Sequence, residues 1–188
     1  MKNARGFTLI EVIVVAAIIA ILAGILVPMI FNQIDEAKNT RAVAECKVIS
    51  NAVVMFRKDT AKWPIYYPGD CTQTYLTLQT GTGTDPVNAA GDWQLSLNSV
   101  ALGIILNLPG LTPPPAQTCY NDRAKSYLIE DKSDPWGHNY IINAFNFTTE
   151  KPVWAISAGP NGKLDTSADS QTLNNLAADG DDLGIRIK

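Results

Sequence analysis

Residues 7–31 read FTLIEVIVVAAIIAILAGILVPMIF, a stretch with one charged side chain, Glu11, and little other polarity. As an α-helix rising about 1.5 Å per residue it would extend roughly 37 Å, enough to cross a hydrocarbon core of about 30 Å. It is therefore expected to span a membrane. Three features separate it from a plain anchor: Glu11 near its start, Pro28 near its end, and the short basic leader MKNARG before it. A secretory signal has its apolar core ahead of a small-residue cleavage site and is removed. Here the apolar run follows the leader and is expected to stay with the mature protein. Lys2 and Arg5 precede the span while acidic or mixed segments follow it, which predicts a cytoplasmic N-terminus with the remainder across the membrane.

Glu11 is the sharpest signal. An ionised carboxylate in a bilayer costs at least about 2.5 kcal/mol and usually has a partner, yet the span contains no Lys, Arg or His. A cut between Gly6 and Phe7 would create an α-amino group one turn away, and the amine of a neighbouring copy would serve equally well. The plainer alternative is a shallow Glu11 that snorkels to the headgroups.

The segment GFTLIEVIVVAAIIAILAGILVP at residues 6–28 resembles the N-terminal signature of type IV pilins and type II secretion pseudopilins: a basic leader ending in glycine, then Phe, Thr-Leu-Ile-Glu, and an apolar helix with proline near its far end. The resemblance rests on Gly6, Phe7, Thr8, Leu9, Ile10, Glu11 and Pro28. It implies cleavage after Gly6 by a prepilin peptidase, N-methylation of Phe7, and pairing of Glu11 with the Phe7 amine of an adjacent subunit during assembly.

The helix is expected to continue past the membrane. Residues 32–62 contain neither Gly nor Pro and carry two apolar stripes at helical spacing, one through Ile34, Ala37, Ala44, Val48, Ala52 and Met55, the other through Val43, Cys46, Ile49 and Val53. One stripe can bury against the protein's own head and the other against neighbouring copies. An uninterrupted helix over residues 7–60 would be on the order of 80 Å long, more than a head of this size can cover. Pro28 and Gly24 make residues 23–28 the expected place for a kink or local unwinding. Trp63-Pro64 should end the helix. There, DTAKWP resembles the Asp-x-Gly-x-Tyr-Pro turn of major pseudopilins, with Ala61 where glycine is usual and Trp63 where tyrosine is.

The chain has 188 residues, a net charge of −3 and 18% charged residues, which suits one extracytoplasmic domain behind a lipid-facing segment and gives no reason to expect nucleic acid. Charge is unevenly placed: residues 1–62 hold eight Lys/Arg against five Asp/Glu, whereas 160–185 hold five Asp against Lys163. Three cysteines, Cys46, Cys71 and Cys119, fit an oxidising compartment and allow three pairings. Cys71 with Cys119 is the favoured one, because both fall in the Gly/Pro/Thr-rich middle, where a bridge would restrain a long loop. Cys46 reads as a small packing residue on the helix.

Residues 63–125 match in place the variable αβ-loop of the resembled family. TLQTGTGTDPVNAAGDW reads as loop, LNSVALGIILNLPGL as a short helix or buried strand, and the three prolines at 113–115 force extended backbone. Residues 126–188 read as a small antiparallel sheet, with HNYIINAFNF and PVWAIS as the clearest strands and DLGIRIK as a third. Asp134-Pro135-Trp136-Gly137 supplies a turn before it and matches the DPWG of major pseudopilins. His138, the only histidine, has no companion ligands and reads as a surface residue.

The acidic loop SAGPNGKLDTSADSQTLNNLAADGDDLG concentrates hard oxygen donors of the kind calcium takes, six to eight at a time. Asp179, Asp181 and Asp182, with Asn161 or Asp165 from the other limb, could close around one ion. It is not an EF-hand. The resemblance adds weight, because the loop is similar to the calcium loop of major pseudopilins, although longer and with Asn161 at the first acidic position. The alternative is a set of solvated turn residues. No nucleophile motif and no metal-ligand His/Cys cluster supports an enzyme.

These expectations combine into an α+β, type IV pilin-like fold, a long N-terminal helix packed against a small C-terminal antiparallel sheet. The divisions are a leader at 1–6, a transmembrane and filament-core helix at 7–31, an amphipathic helix at 32–62, a variable region at 63–125 and the sheet with its acidic loop at 126–188. The function this implies is that of a structural subunit in a bacterial filament, closest to the major pseudopilin of a type II secretion system. It would be held in the inner membrane with its head in the periplasm, then polymerised with itself through Phe7, Glu11 and the helix that contains Pro28. Prepilin peptidase, an assembly platform and minor pseudopilins or pilins would be its other partners, and Ca2+ its ligand. The alternatives are a type IV pilin of a surface filament and a minor tip pilin acting as a binding module. Minor tip subunits often replace the glutamate that Glu11 retains here.

Overall fold

The computed structural model describes residues 7–67, 70–95, 99–101, 119–120, 126–173 and 180–188. A single helix, α1, runs over Leu9–Thr60. It starts where Thr8 and Glu11, three residues apart, cap the first turn, and it stops where the Thr60 hydroxyl bonds the Phe56 carbonyl at 2.8 Å and the Lys62 amide turns back onto Thr60 Oγ1 at 3.3 Å. Residue 61 then takes a left-handed conformation, with φ 57°.

Of the kink or local unwinding expected at residues 23–28, the unwinding is absent, since α1 is helical through Pro28. The physical reason is local. Proline removes one hydrogen bond, whereas unwinding would free several backbone groups in an apolar segment that offers them no other partner. By length and composition α1 can cross a membrane, and its apolar N-terminal residues are exposed along the single chain.

Residues 39–188 form a compact unit of their own. In it α1 buries Ala42, Cys46, Ile49, Val53, Phe56 and Thr60, spaced by three and four, while Ala44, Val48 and Met55 stay exposed. The buried row faces a sheet of strand order β4-β3-β5-β6-β7. These strands are β3 (Thr77–Thr80), β4 (Ser99–Ala101), β5 (Tyr140–Ile142), β6 (Trp154–Ser157) and β7 (Leu183–Arg186). β3, β5, β6 and β7 pair antiparallel, and β4 lies parallel to β3. A separate ribbon pairs β1 (Tyr66–Tyr67) with β2 (Asp70–Thr74).

Alternation along the strands sorts two cores. Leu78, Tyr140, Ile142 and Ala155 join Phe56 and Val53 on the helix side, while Ile141, Trp154 and Ile156 join Trp93, Leu164 and Ala168 on the other. The sheet is thus covered on both faces, by α1 and by loops. That is why its strands read as continuous apolar runs such as YII and WAIS rather than as alternating ones.

The loop expected at TLQT is instead the strand β3. Its threonines are buried and satisfied, Thr77 donating to the Gln94 carbonyl at 2.9 Å and Thr80 to the Lys132 carbonyl at 3.4 Å, so a polar composition hid an interior strand. HNYIINAFNF is not one strand either. β5 ends at Ile142 and a 3-10 helix follows over Ala144–Thr148. The buried Asn143 side chain ends the ladder: its Oδ1 accepts from the Trp154 amide at 2.7 Å and its Nδ2 donates to the Pro152 and Ala168 carbonyls. Of LNSVALGIILNLPGL the strand β4 is seen; residues 102–118, with the three prolines, lie outside the described residues.

Candidate functional site

At the start of α1 the Thr8 amide and hydroxyl each donate to Glu11 Oε2 at 2.8 Å, and the Glu11 amide donates back to Thr8 Oγ1 at 3.4 Å. This is a capping box. The carboxylate for which the sequence suggested an amine partner is therefore satisfied within its own chain. The residue missed was Thr8, although its signal, threonine three residues before glutamate ahead of an apolar run, was present. Phe7 is 87% exposed beside this cap. Gly6 lies outside the described residues. Pro28 is inside the helix.

In the acidic loop the two limbs meet. The Asn161 amide donates to Asp181 Oδ2 at 3.0 Å, the Asn161 side chain donates to Asp165 Oδ2 at 3.0 Å, and the Thr166 amide donates to Asp182 Oδ2 at 2.5 Å. Gly159 makes the turn at φ 62°, with the Asp181 carbonyl oxygen 2.4 Å from where a β-carbon would stand, so only glycine fits. Asp182 is fully buried. Burial pushes its carboxyl up to about 6 against the pull of the Thr166 hydrogen bonds, and Oδ1 has no hydrogen-bond partner among the described residues. A buried carboxylate oxygen of this kind suits a hard cation. Asp179 lies outside the described residues, and among those described no three acidic, His or Cys side chains converge tightly enough to hold a metal. The structure thus joins Asn161 with Asp165 and Asp181, and Asp182 with Thr166, without gathering them into one cage.

Residues 166–168 of the loop are held by groups outside it. The Ser167 hydroxyl bonds Asp92, whose Oδ1 also accepts from the Ala168 amide at 3.2 Å; Trp93 Nε1 donates to the Thr166 carbonyl at 2.8 Å, and Asn146 Nδ2 to the Ala168 carbonyl at 3.1 Å. Asp134 of the DPWG turn is buried, with Oδ1 accepting from the Trp136 and His138 amides and Oδ2 from the Ser157 hydroxyl at 2.7 Å. His138, read as a surface residue, is instead half-buried, with Nδ1 3.8 Å from Asp134 Oδ2 and its ring packed over Gly162. The tight turn draws the ring inward, which residue counting could not show.

Cys71 and Cys119 form a disulfide with a Cα–Cα distance of 5.3 Å. The bridge holds the buried Cys119–Tyr120 segment to β2, and just after the end of α1 the Tyr120 hydroxyl accepts from the Tyr66 amide at 2.8 Å and donates to the Trp63 carbonyl at 3.1 Å. Cys46 remains a buried thiol against the Leu183 carbonyl, its ionisation suppressed by burial.

A family model described as the prokaryotic N-terminal methylation motif matches residues 1–27. The chain is 27% identical over 165 residues to the type II secretion system core protein G of Escherichia coli K12, covering 88% of each chain. It is 28% identical over 174 residues to the protein of the same name from Pseudomonas aeruginosa, covering 93% of this chain and 96% of the relative. Against the Vibrio cholerae protein of that name the identity is 36% over 64 residues, 34% of this chain and 44% of the relative. No solved structure gives a significant match.

Proposed function

We propose that the chain is the major pseudopilin of a type II secretion system, a reading supported by the match of residues 1–27 to the N-terminal methylation motif and by the similarity of most of the chain to type II secretion system core protein G of two bacteria. One observation carries the mechanism: an apolar helical segment that the chain itself leaves uncovered, headed by a carboxylate already capped by Thr8. In lipid that surface is solvated by acyl chains. In a filament the same surface is covered by other copies, and van der Waals packing between them stabilises the polymer. The Thr8 cap keeps Glu11 satisfied while the subunit waits in the membrane. On assembly the carboxylate exchanges to, or shares with, the Phe7 amine of a neighbour, and this sets register, since a subunit one step out of place leaves the charge without its cation.

This reading includes cleavage after Gly6, an inner-membrane location with the N-terminus inside and the head in the periplasm, and a prepilin peptidase, assembly platform and minor pseudopilins as partners. Calcium is part of it: Asp181 and Asp182, with Asn161 or Asp165 and Asp179, would supply hard oxygens that tie the two limbs of the loop, and the buried Asp182 Oδ1 supports a cation there. A type IV pilin of a surface filament is the second reading, favoured by the disulfide-bridged middle region.

Electron microscopy of filaments sheared from cells overproducing the chain, with and without a calcium chelator, tests both. Homopolymers that fall apart in chelator are expected for a calcium-bound pseudopilin. Chelator-resistant filaments would favour the surface pilin, and the absence of filaments would overturn the major-subunit assignment.

A further inference from the structure

Between the head portion of α1 and the segment at 127–132 lies a groove of about 440 Å³, walled by Val48, Ile49, Leu128 and Ile129, with the charged side chains of Glu45, Glu130 and Lys132 also lining it. Its lip is apolar and uncovered: Val48 is 58% and Ile129 84% exposed. A different side of the same helix carries Lys47, Asn51, Val54 and Lys58, spaced by four, three and four and so aligned in one row. All four are exposed, Val54 at 46%, and the row contains no acidic residue.

The two patches are complementary in kind. One is an apolar trough whose charged lining is two carboxylates, Glu45 and Glu130, against one ammonium, Lys132, and the other is an apolar side chain between two ammonium groups whose aliphatic stems can lie along a trough while the heads reach a carboxylate. We propose that the groove seats the Lys47–Val54–Lys58 row of a second copy of this chain, Val54 lying on Ile129 and Lys58 pairing with Glu130. The proposal deepens the filament-subunit reading and rests on it. Within one chain Glu130 pairs with its neighbour Lys132 and Glu45 is engaged by Arg41 and Tyr140. Lys58 therefore takes over the exposed Glu130, and the Glu45 contacts remain intact. Because row and groove are separate patches of one subunit, the contact is heterologous: each copy offers a row to one neighbour and a groove to another, which propagates instead of closing into a dimer.

The test uses the full chain in cells. Lys58→Glu and Glu130→Lys, both surface changes, are each expected to lower the yield of sheared filaments about tenfold through like-charge contact, and the double variant is expected to recover most of it. Unchanged yields in the single variants, or a double variant no better than either, would overturn the groove assignment while leaving the subunit function standing. Val54→Cys combined with Ile129→Cys, oxidised in membranes, decides the contact even if the unmodified chain forms no filaments and the function reading falls. Covalent ladders confined to the double cysteine variant support the groove contact, and monomer alone refutes it.

Discussion

Thr8 and Glu11 close a reciprocal cap at the head of α1, with both donors of Thr8 2.8 Å from one carboxylate oxygen. In the proposed filament two demands fall on that carboxylate, a local one from the helix start and an intermolecular one from register, and they differ in what they require. A cap needs an oxygen acceptor, whereas pairing with an amine needs a charge.

Glu11→Gln separates the two. Glutamine serves in a capping box but carries no charge, so the variant is expected to stay in the membrane as a helix and to give few or no filaments. Glu11→Val loses both functions and should also lack filaments while remaining in the membrane. Membrane fractionation and counts of sheared filaments check this; abundant filaments from Glu11→Gln would reduce the residue to a cap.

Ala61 holds φ 57° at the end of α1, where glycine would be free of steric strain. Ala61→Gly is expected to raise the stability of the head by up to about 1 kcal/mol, less whatever the freer unfolded chain gives back. Denaturant unfolding of the detergent-solubilised chain measures it. A loss of stability would mean that the alanine methyl makes contacts worth more than the strain.

The Cys71–Cys119 bridge spans 48 residues of sequence. A cross-link closing a loop of that length is worth about 4 kcal/mol in the chain-entropy account. Reduction, or Cys71→Ser with Cys119→Ser, is expected to lower head stability by a large part of that, and to loosen the packing of Tyr120 on Phe56, whose rings now meet edge-on at 4.9 Å. Near-UV circular dichroism and unfolding midpoints with and without reductant would report both effects.

What could be read from the chain and what could not divide along physical lines. The apolar N-terminal segment, the helix running to Thr60, the turn at Asp134 and the strands at 154–157 and 183–186 declare themselves through apolar runs, periodicity and turn residues, which are local signals. β3 did not, because Thr77 and Thr80 qualify as interior residues only through partner carbonyls at 94 and 132, far along the chain. Asn143 looked like one more strand residue, and its role as the stop of β5 depends on carbonyls at 152 and 168. The acidic residues were legible as a group, but not their division of labour: Asp92 and Asp134 bond backbone amides and hydroxyls, and Asp182 lies buried beside Thr166. A charge count cannot distinguish a carboxylate that braces a turn from one that waits for a cation.

That last distinction has a pH signature. Asp182 titrates at about 6 in the fold, above the ordinary carboxylate value, so between roughly pH 4 and pH 6 the folded chain binds a proton that the unfolded chain does not. In chelator, its contribution to stability is therefore present below the unfolded value and is lost as pH rises through 6. Asp169 runs the other way, its carboxyl held down by hydrogen bonds from Lys151 and Asn146, which makes the difference between variants the informative quantity. Asp182→Asn cannot ionise and should remove this part of the profile, leaving the variant more stable than the parent above pH 6 in chelator. At the proposed calcium site the cation would bind the ionised form, so at pH 7 it should raise the melting temperature of the parent and leave Asp182→Asn nearly unmoved. Melting curves at pH 4, 6 and 7, with chelator or millimolar calcium, test both halves. Equal calcium responses in the two proteins would take Asp182 out of the cation site, and a stability difference between parent and Asp182→Asn in chelator that does not change from pH 4 to pH 7 would show that its carboxylate is solvated rather than buried.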